Sequence, residues 1–207
     1  ALTGLNKLIK QDDKQQARDL ILGYMRYSKM LSTAKSLHRL AIEKQKPNLE
    51  RERGYQERDI ARFEQGMKSV DRRYDEKIDK EILVAMLTHY VALPKAERIQ
   101  SFDKFFGLTN TTAKNFNEKK LRKQLGRMYK STKLNSQEQR LALMEKSVSD
   151  FNNSKDPFIQ LAVTSFKERK AIEDKSKELT GNIQALRPKY MAALIAYFND
   201  NNLPVYA

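Results

Sequence analysis

Apolar residues recur at intervals of three and four through most of the 207-residue chain, the period that returns side chains to one face of an α-helix. Leu20, Ile21, Tyr24 and Tyr27 form the first stripe, with Asp12 and Asp13 ahead of it as N-caps, and Ser28 stands where it can cap a second helix bearing Met30, Leu31, Ala34, Leu37, His38 and Ala41. From Lys46 to Arg58 the period lapses. Pro47 and Gly54 punctuate the charged run Glu50-Arg51-Glu52-Arg53, which predicts a loop. Asp59 is expected to cap the next helix, whose Ile60, Phe63, Met67, Val70 and Tyr74 are spaced like a coiled-coil seam. Asp75 or Asp79 opens another, with Ile78, Ile82, Leu83, Met86, Leu87, Tyr90 and Val91, and Pro94 closes it. Ile99, Phe102, Phe105 and Phe106 predict a short helix stopped by Gly107.

Asn117 to Lys130 is a separate amphipathic helix, and Ser136-Gln137-Glu138-Gln139 fits a capping box ahead of Leu141, Met144 and Val148. Asp156-Pro157 is a stronger start, since Asp accepts orphan amide bonds while Pro at the first helical position forfeits none. The helix it begins is expected to run through Phe158, Ile159, Ala162, Val163 and Phe166 into the charged, solvent-facing stretch Lys167 to Glu178. Pro188 should kink or restart the chain before Tyr190, Met191, Leu194, Ile195 and Phe198, and Asn199-Asp200-Asn201-Asn202 should end it. Neither an internal repeat nor strand alternation is visible. The pattern predicts one all-α domain over residues 1–207, a multi-helix bundle with antiparallel helices and a long C-terminal helical segment.

Composition supports this. Gly (7) and Pro (5) are too scarce for the turns of a many-stranded sandwich or barrel. Forty Lys and Arg against 26 Asp and Glu leave a net charge of +14, yet nine Tyr and nine Phe within a 40% hydrophobic chain supply a core and argue against disorder. Cysteine is absent, which removes disulfides, thiolate catalysis and Cys-based zinc sites but assigns no compartment. The longest apolar run, Tyr190 to Phe198, is about half of what crosses a bilayer. The opening Ala1-Leu2-Thr3-Gly4 has no initiator Met, basic n-region or h-region and reads as a mature form or an excised fragment.

Candidate chemistry is sparse. The two histidines, His38 and His89, both fall mid-helix among apolar neighbours and read as structural. No nucleophile elbow, zinc-helix motif, phosphate loop or dinucleotide fingerprint occurs. No catalytic, metal-ligating or cofactor-binding residue is therefore assigned, no cofactor is implied, and the substrate-binding residues are unknown. The sharpest charge feature is Thr112 to Lys133, where Lys114, Lys119, Lys120, Arg122, Lys123, Arg127, Lys130 and Lys133 face only Glu118. On a helical projection Lys120, Lys123, Arg127 and Lys130 share one face, opposite Leu121, Leu125, Met128 and Tyr129. Such a face could contact phosphates or anionic lipid, but no aromatic is interleaved for base stacking, a solvated face is the plainer reading, and nucleic-acid binding is disfavoured. In the loop ending at Asp59, alternating acids and bases can pair locally, with Tyr55 as an anchor to the core.

The strings KQKPNLERERGYQERD, FFGLT, STKLNSQEQRLALM, SKDPFIQLAV and RPKYMAALIAYFNDNNLPVYA resemble the helical domain of the bacterial serine dipeptidyl-peptidases, the family that includes dipeptidyl-peptidases 7 and 11 and dipeptidyl aminopeptidase BII. GYQERD after Lys-x-Pro is the most specific part, and similar segments recur from about Ile21 to Ala207. The resemblance implies a periplasmic, homodimeric parent with a chymotrypsin-like double β-barrel and a Ser-His-Asp triad, interrupted by a helical domain. That domain roofs the cleft, so that dipeptides leave only from free N-termini of peptide substrates. By this resemblance the chain is the roof, and its partner is the barrel domain of the same parent. The family's triad motifs and its asparagine-containing lead-in match no position here, so no functional residue carries over. The alternative is a basic helical module that binds nucleic acid or an acidic protein.

Overall fold

The computed structural model describes residues 16–203. The Asp12 and Asp13 caps lie outside the described residues. Ten α-helices follow one another, and no strand occurs among the described residues, so the domain is all-α. Residues 16–24 are helical (α1) and tighten into a 3-10 turn, Met25–Tyr27. That tightening moves the inward position off the expected stripe: Met25 is buried while Leu20, Tyr24 and Tyr27 stand exposed.

Ser28 caps α2 (Lys29–Glu43), its hydroxyl accepting the Leu31 N–H at 3.4 Å. The buried face of α2, which includes Leu31, Ala34, Leu37 and Ala41, packs on α9 (Pro157–Thr164) with its buried Phe158, Leu161 and Ala162. Asp156 caps α9, its carboxylate accepting the Phe158 and Ile159 amides, and Pro157 sits at the first helical position as the dipeptide predicts. Asp75, not Asp79, caps α4 (Glu76–Tyr90), which packs on α6 (Glu118–Ser131), itself capped by Asn117. Between them lies α5 (Gln100–Phe106), and the left-handed Gly107 (φ 68°) stops it. Its amide and that of Leu108 reach back to the carbonyls of Lys104 and Asp103, closing a Schellman turn.

Several expected boundaries moved. Asp59 does not cap α3 (Glu57–Lys68); Gln56 holds that position, and Asp59 in the first turn accepts the Gly54 N–H at 2.9 Å instead. Ser136 caps α7 (Gln137–Leu143), but that helix stops before Val148. The reciprocal capping box belongs to Ser147 and Asp150 and opens α8 (Val148–Asn152). Ser165 separates α9 from α10 (Phe166–Asp200), where a single helix was expected; its buried hydroxyl bonds the Leu161 carbonyl and gives the backbone an alternative to the helix ladder. Pro188 neither ends nor restarts α10. The bond it forfeits is that of the Gln184 carbonyl, and Gln184 is exposed, where an unmet carbonyl costs little. Asn202 (φ 51°) ends α10 with the same Schellman pairing, as the asparagine-rich run predicts.

The structure separates into two compact units, Arg18–Glu168 and a second that contains α10 from Arg169 onward. The first holds the core just described. In the second, Lys177 pairs with Glu173 at 2.8 Å and Lys170 with Asp174, the i,i+4 pairs expected of a solvated helix, and Asp174 to Glu178 are exposed.

Candidate functional site

The basic helix α6 is built as its spacing predicts. Leu121, Leu125, Met128 and Tyr129 are buried, and Lys119, Lys120, Lys123, Arg127 and Lys130 are exposed on the opposite arc. Arg122, which helical phase sets about 60° off that arc, is neutralised by packing: its guanidinium grips Glu81 of α4 with both terminal nitrogens (Nη2 to Oε2 2.8 Å) and Glu118 with Nε at 2.7 Å. The hydrogen bond from Arg122 holds the Glu81 carboxyl below the usual carboxylate range. The other five cations have no carboxylate within 4.0 Å among the described residues. Lys80 of α4 joins them, because Gly126 has no Cβ and one built there would stand 3.3 Å from the Lys80 ammonium.

At the C-terminal end of α6 the strip runs into a groove of about 470 Å³ between that end and the start of α9. Lys133 and Lys155 supply charge to it, Ser131 and Ser154 hydroxyls, and the half-buried Leu143 an apolar surface. Asp156 also lines it, but its oxygens already accept Thr132 Oγ1 (2.7 Å), Lys133 N (2.9 Å) and the α9 amides.

Neither histidine sits among groups suited to catalysis. His38 is buried on α2 with its ring 5.2 Å from Phe166, edge on, and 5.7 Å from Phe151. His89 is exposed in the last turn of α4 and makes no side-chain hydrogen bond among the described residues. No group of three or more Asp, Glu or His arranged to hold a metal ion occurs among the described residues.

The loop that carries the distinctive sequence is wired as its charge alternation suggests, with Glu43 at the hub. This nearly buried carboxylate accepts Lys46 Nζ (2.8 Å) and the Glu52 amide (3.0 Å) and lies 3.5 Å from Arg39. Burial alone would raise its pKa; the hydrogen bonds and charges of Lys46, Glu52 N–H and Arg39 outweigh that and hold it low. Arg51 binds Glu57 at 2.6 Å and the Lys46 carbonyl at 3.1 Å, and Asn48 accepts the first amide of α3. Tyr55 is half-buried rather than sunk in the core, resting on Phe63 (5.8 Å) beside the Arg39 guanidinium (6.0 Å).

Asp79, Arg140 and Arg98 are among the buried charges that escaped the apolar reading. Asp79 points inward on α4 at 2% exposure, while the neighbouring apolar Ile78 is exposed. Its carboxylate accepts the Lys29 and Met30 amides, Ser28 Oγ and the Tyr129 phenol, so a side chain from another helix completes the cap of α2. Burial, reinforced by the Asp79 charge, pushes the Tyr129 phenol far up. Arg140 is wholly enclosed and ties α7 to the end of α3 through Met67 O, Leu134 O and Asp71. Arg98 bonds the carbonyls of Val91 and Leu93 just after α4. The signal in each case is a charged residue inside an apolar stripe, without any clue to its distant partner.

The Peptidase S46 family model matches residues 1–207. The chain belongs to the Peptidase S46 family. An Asp/Glu-specific dipeptidyl-peptidase of Shewanella putrefaciens is 42% identical over 179 residues, 86% of this chain. The match covers 23% of that relative's length, so this Peptidase S46 chain corresponds to a minor part of it. No helix among the described residues is long and apolar enough to cross a membrane.

Proposed function

We propose that this chain is the helical cap of a serine dipeptidyl-peptidase, covering the active-site cleft of the parent and restricting it to N-terminal dipeptides. The observation that carries this reading is the family match across a chain whose described residues form helices and loops without a strand, and whose match covers under a quarter of a dipeptidyl-peptidase relative. The placement of His38 and His89 supports a steric rather than a chemical role, since a triad base needs both a nucleophile and an orienting acid. In this reading catalysis belongs to a double β-barrel of the same parent, in the periplasm, and the compact 18–168 unit supplies a wall that internal stretches of polypeptide cannot pass.

The test compares a decapeptide having a free N-terminus with its N-acetylated twin, with the parent enzyme as catalyst and mass spectrometry as readout. The free peptide should yield successive dipeptides and the acetylated one should resist. Asp79→Ala, which loosens the 18–168 unit, should raise cleavage of the acetylated peptide as temperature approaches the melting of that unit. An unchanged ratio of the two rates while the unit is shown to unfold would overturn the cap role.

A further inference from the structure

We propose that the α6 strip and the groove at its end form a docking track for acidic polypeptide. On the helical projection Lys119, Lys120, Lys123, Arg127 and Lys130 lie within about a 100° arc, and Ser131, which lines the groove, falls at the edge of that arc. The cations are exposed and unpaired among the described residues, whereas the neighbouring Arg122 is held by Glu81 and Glu118. From Lys120 to Lys130 the track is about 15 Å long, the reach of four or five residues of extended chain. From Lys120 onward the cations are staggered by about 4.5–6 Å along the axis. An extended peptide presents same-side carboxylates every ~6.7 Å, so two or three acidic side chains fall along this length, within reach of the flexible lysine and arginine side chains.

Two observations favour peptide over nucleic acid. The exposed arc bears no aromatic on which a base could stack. The groove pairs Lys133 and Lys155 with the half-buried, apolar Leu143, a surface suited to a peptide side chain and not to a phosphodiester. That the ligand is a peptide substrate on its way to a cleft rests on the dipeptidyl-peptidase reading; the charge complementarity does not.

Fluorescence anisotropy of labelled octaglutamate against the 207-residue chain tests the track, with labelled oligo-dT of eight nucleotides and a neutral Gly-Ser octapeptide as comparators. Octaglutamate should bind, the neutral peptide should not, and affinity should fall roughly tenfold between low and physiological salt. Lys120→Glu, Lys123→Glu and Arg127→Glu together should weaken it by about tenfold or more. The matched reversal Arg58→Glu, Arg62→Glu and Arg72→Glu, at exposed cations on α3 and the 3-10 turn after it that are unpaired among the described residues, should weaken it by less than about threefold. Equal losses in the two triple variants would reduce the effect to net charge and overturn the proposal. Tighter binding of oligo-dT through the same residues would assign the strip to nucleic acid instead, and absence of octaglutamate binding would remove the track. Because the readout is binding by this chain, each of these failures leaves the cap reading to its own peptide assay.

Discussion

Asp79→Ala is the most informative single perturbation of the fold. The carboxylate is 2% exposed and accepts four donors: Ser28 Oγ at 3.2 Å, Met30 N at 3.2 Å, the Tyr129 phenol at 2.7 Å, and the Lys29 amide. Lys29 is half-buried and its amide can turn to solvent, and Ser28 can rotate. Met30 and Tyr129 are enclosed, so their donors lose their acceptor without gaining water. A buried donor left unmet costs about 1–3 kcal/mol, which puts Asp79→Ala, with two such donors, at about 2–6 kcal/mol, a large part of the 5–15 kcal/mol usual for a domain. Asp79→Asn keeps one oxygen for the α2 amides and should lose less, about 1–2 kcal/mol. Urea unfolding followed by circular dichroism measures both. The decisive comparison is Tyr129→Phe in each background: it should cost about 1–2 kcal/mol when Asp79 is present and under about 0.5 kcal/mol when it is not. A cost that is the same in both backgrounds, or an Asp79→Ala loss below about 1 kcal/mol, would refute the claim that this carboxylate joins α2, α4 and α6.

Glu43 has its carboxyl held low by Lys46, the Glu52 amide and Arg39. The stability it contributes is present above the ordinary glutamate value of about 4.3 and is lost as pH falls through the lower folded value. Melting temperatures of the parent chain and Glu43→Gln, compared from pH 7 downward, should therefore differ most near neutrality and converge below pH ~4. Gly107→Ala should cost about 1 kcal/mol in urea melts, since φ is 68° but a Cβ would meet nothing within 4 Å, making the penalty conformational and not steric. Tyr55→Ala should cost about 1–2 kcal/mol, below the loss for a fully buried aromatic, because the ring is half-exposed against Phe63; a loss within 0.5 kcal/mol, about the effect of an ordinary surface change, would show that the loop is only loosely attached.

Helical identity was legible because it depends on local spacing. Ser28, Asn117 and Asp156-Pro157 cap the helices they precede, and Gly107 and Asn202 take the left-handed stops, since these residues act on amides and carbonyls within a few positions of themselves. The basic face of α6 was equally readable, being a matter of helical phase. What depended on partners far along the chain was not. Asp79 bonds groups about 50 residues away and Arg140 reaches back 73 residues to Met67, and no local pattern announces which donor a buried charge will meet. Likewise Ser165 interrupts a run that looks continuous, and Arg122 of the basic segment pairs with Glu81, 41 residues away. Where helices form and which faces are apolar or charged follows from local residue order, because propensity and capping act within a turn or two; which charges are buried, which are paired and which remain exposed depends on packing that brings distant helices within hydrogen-bond reach.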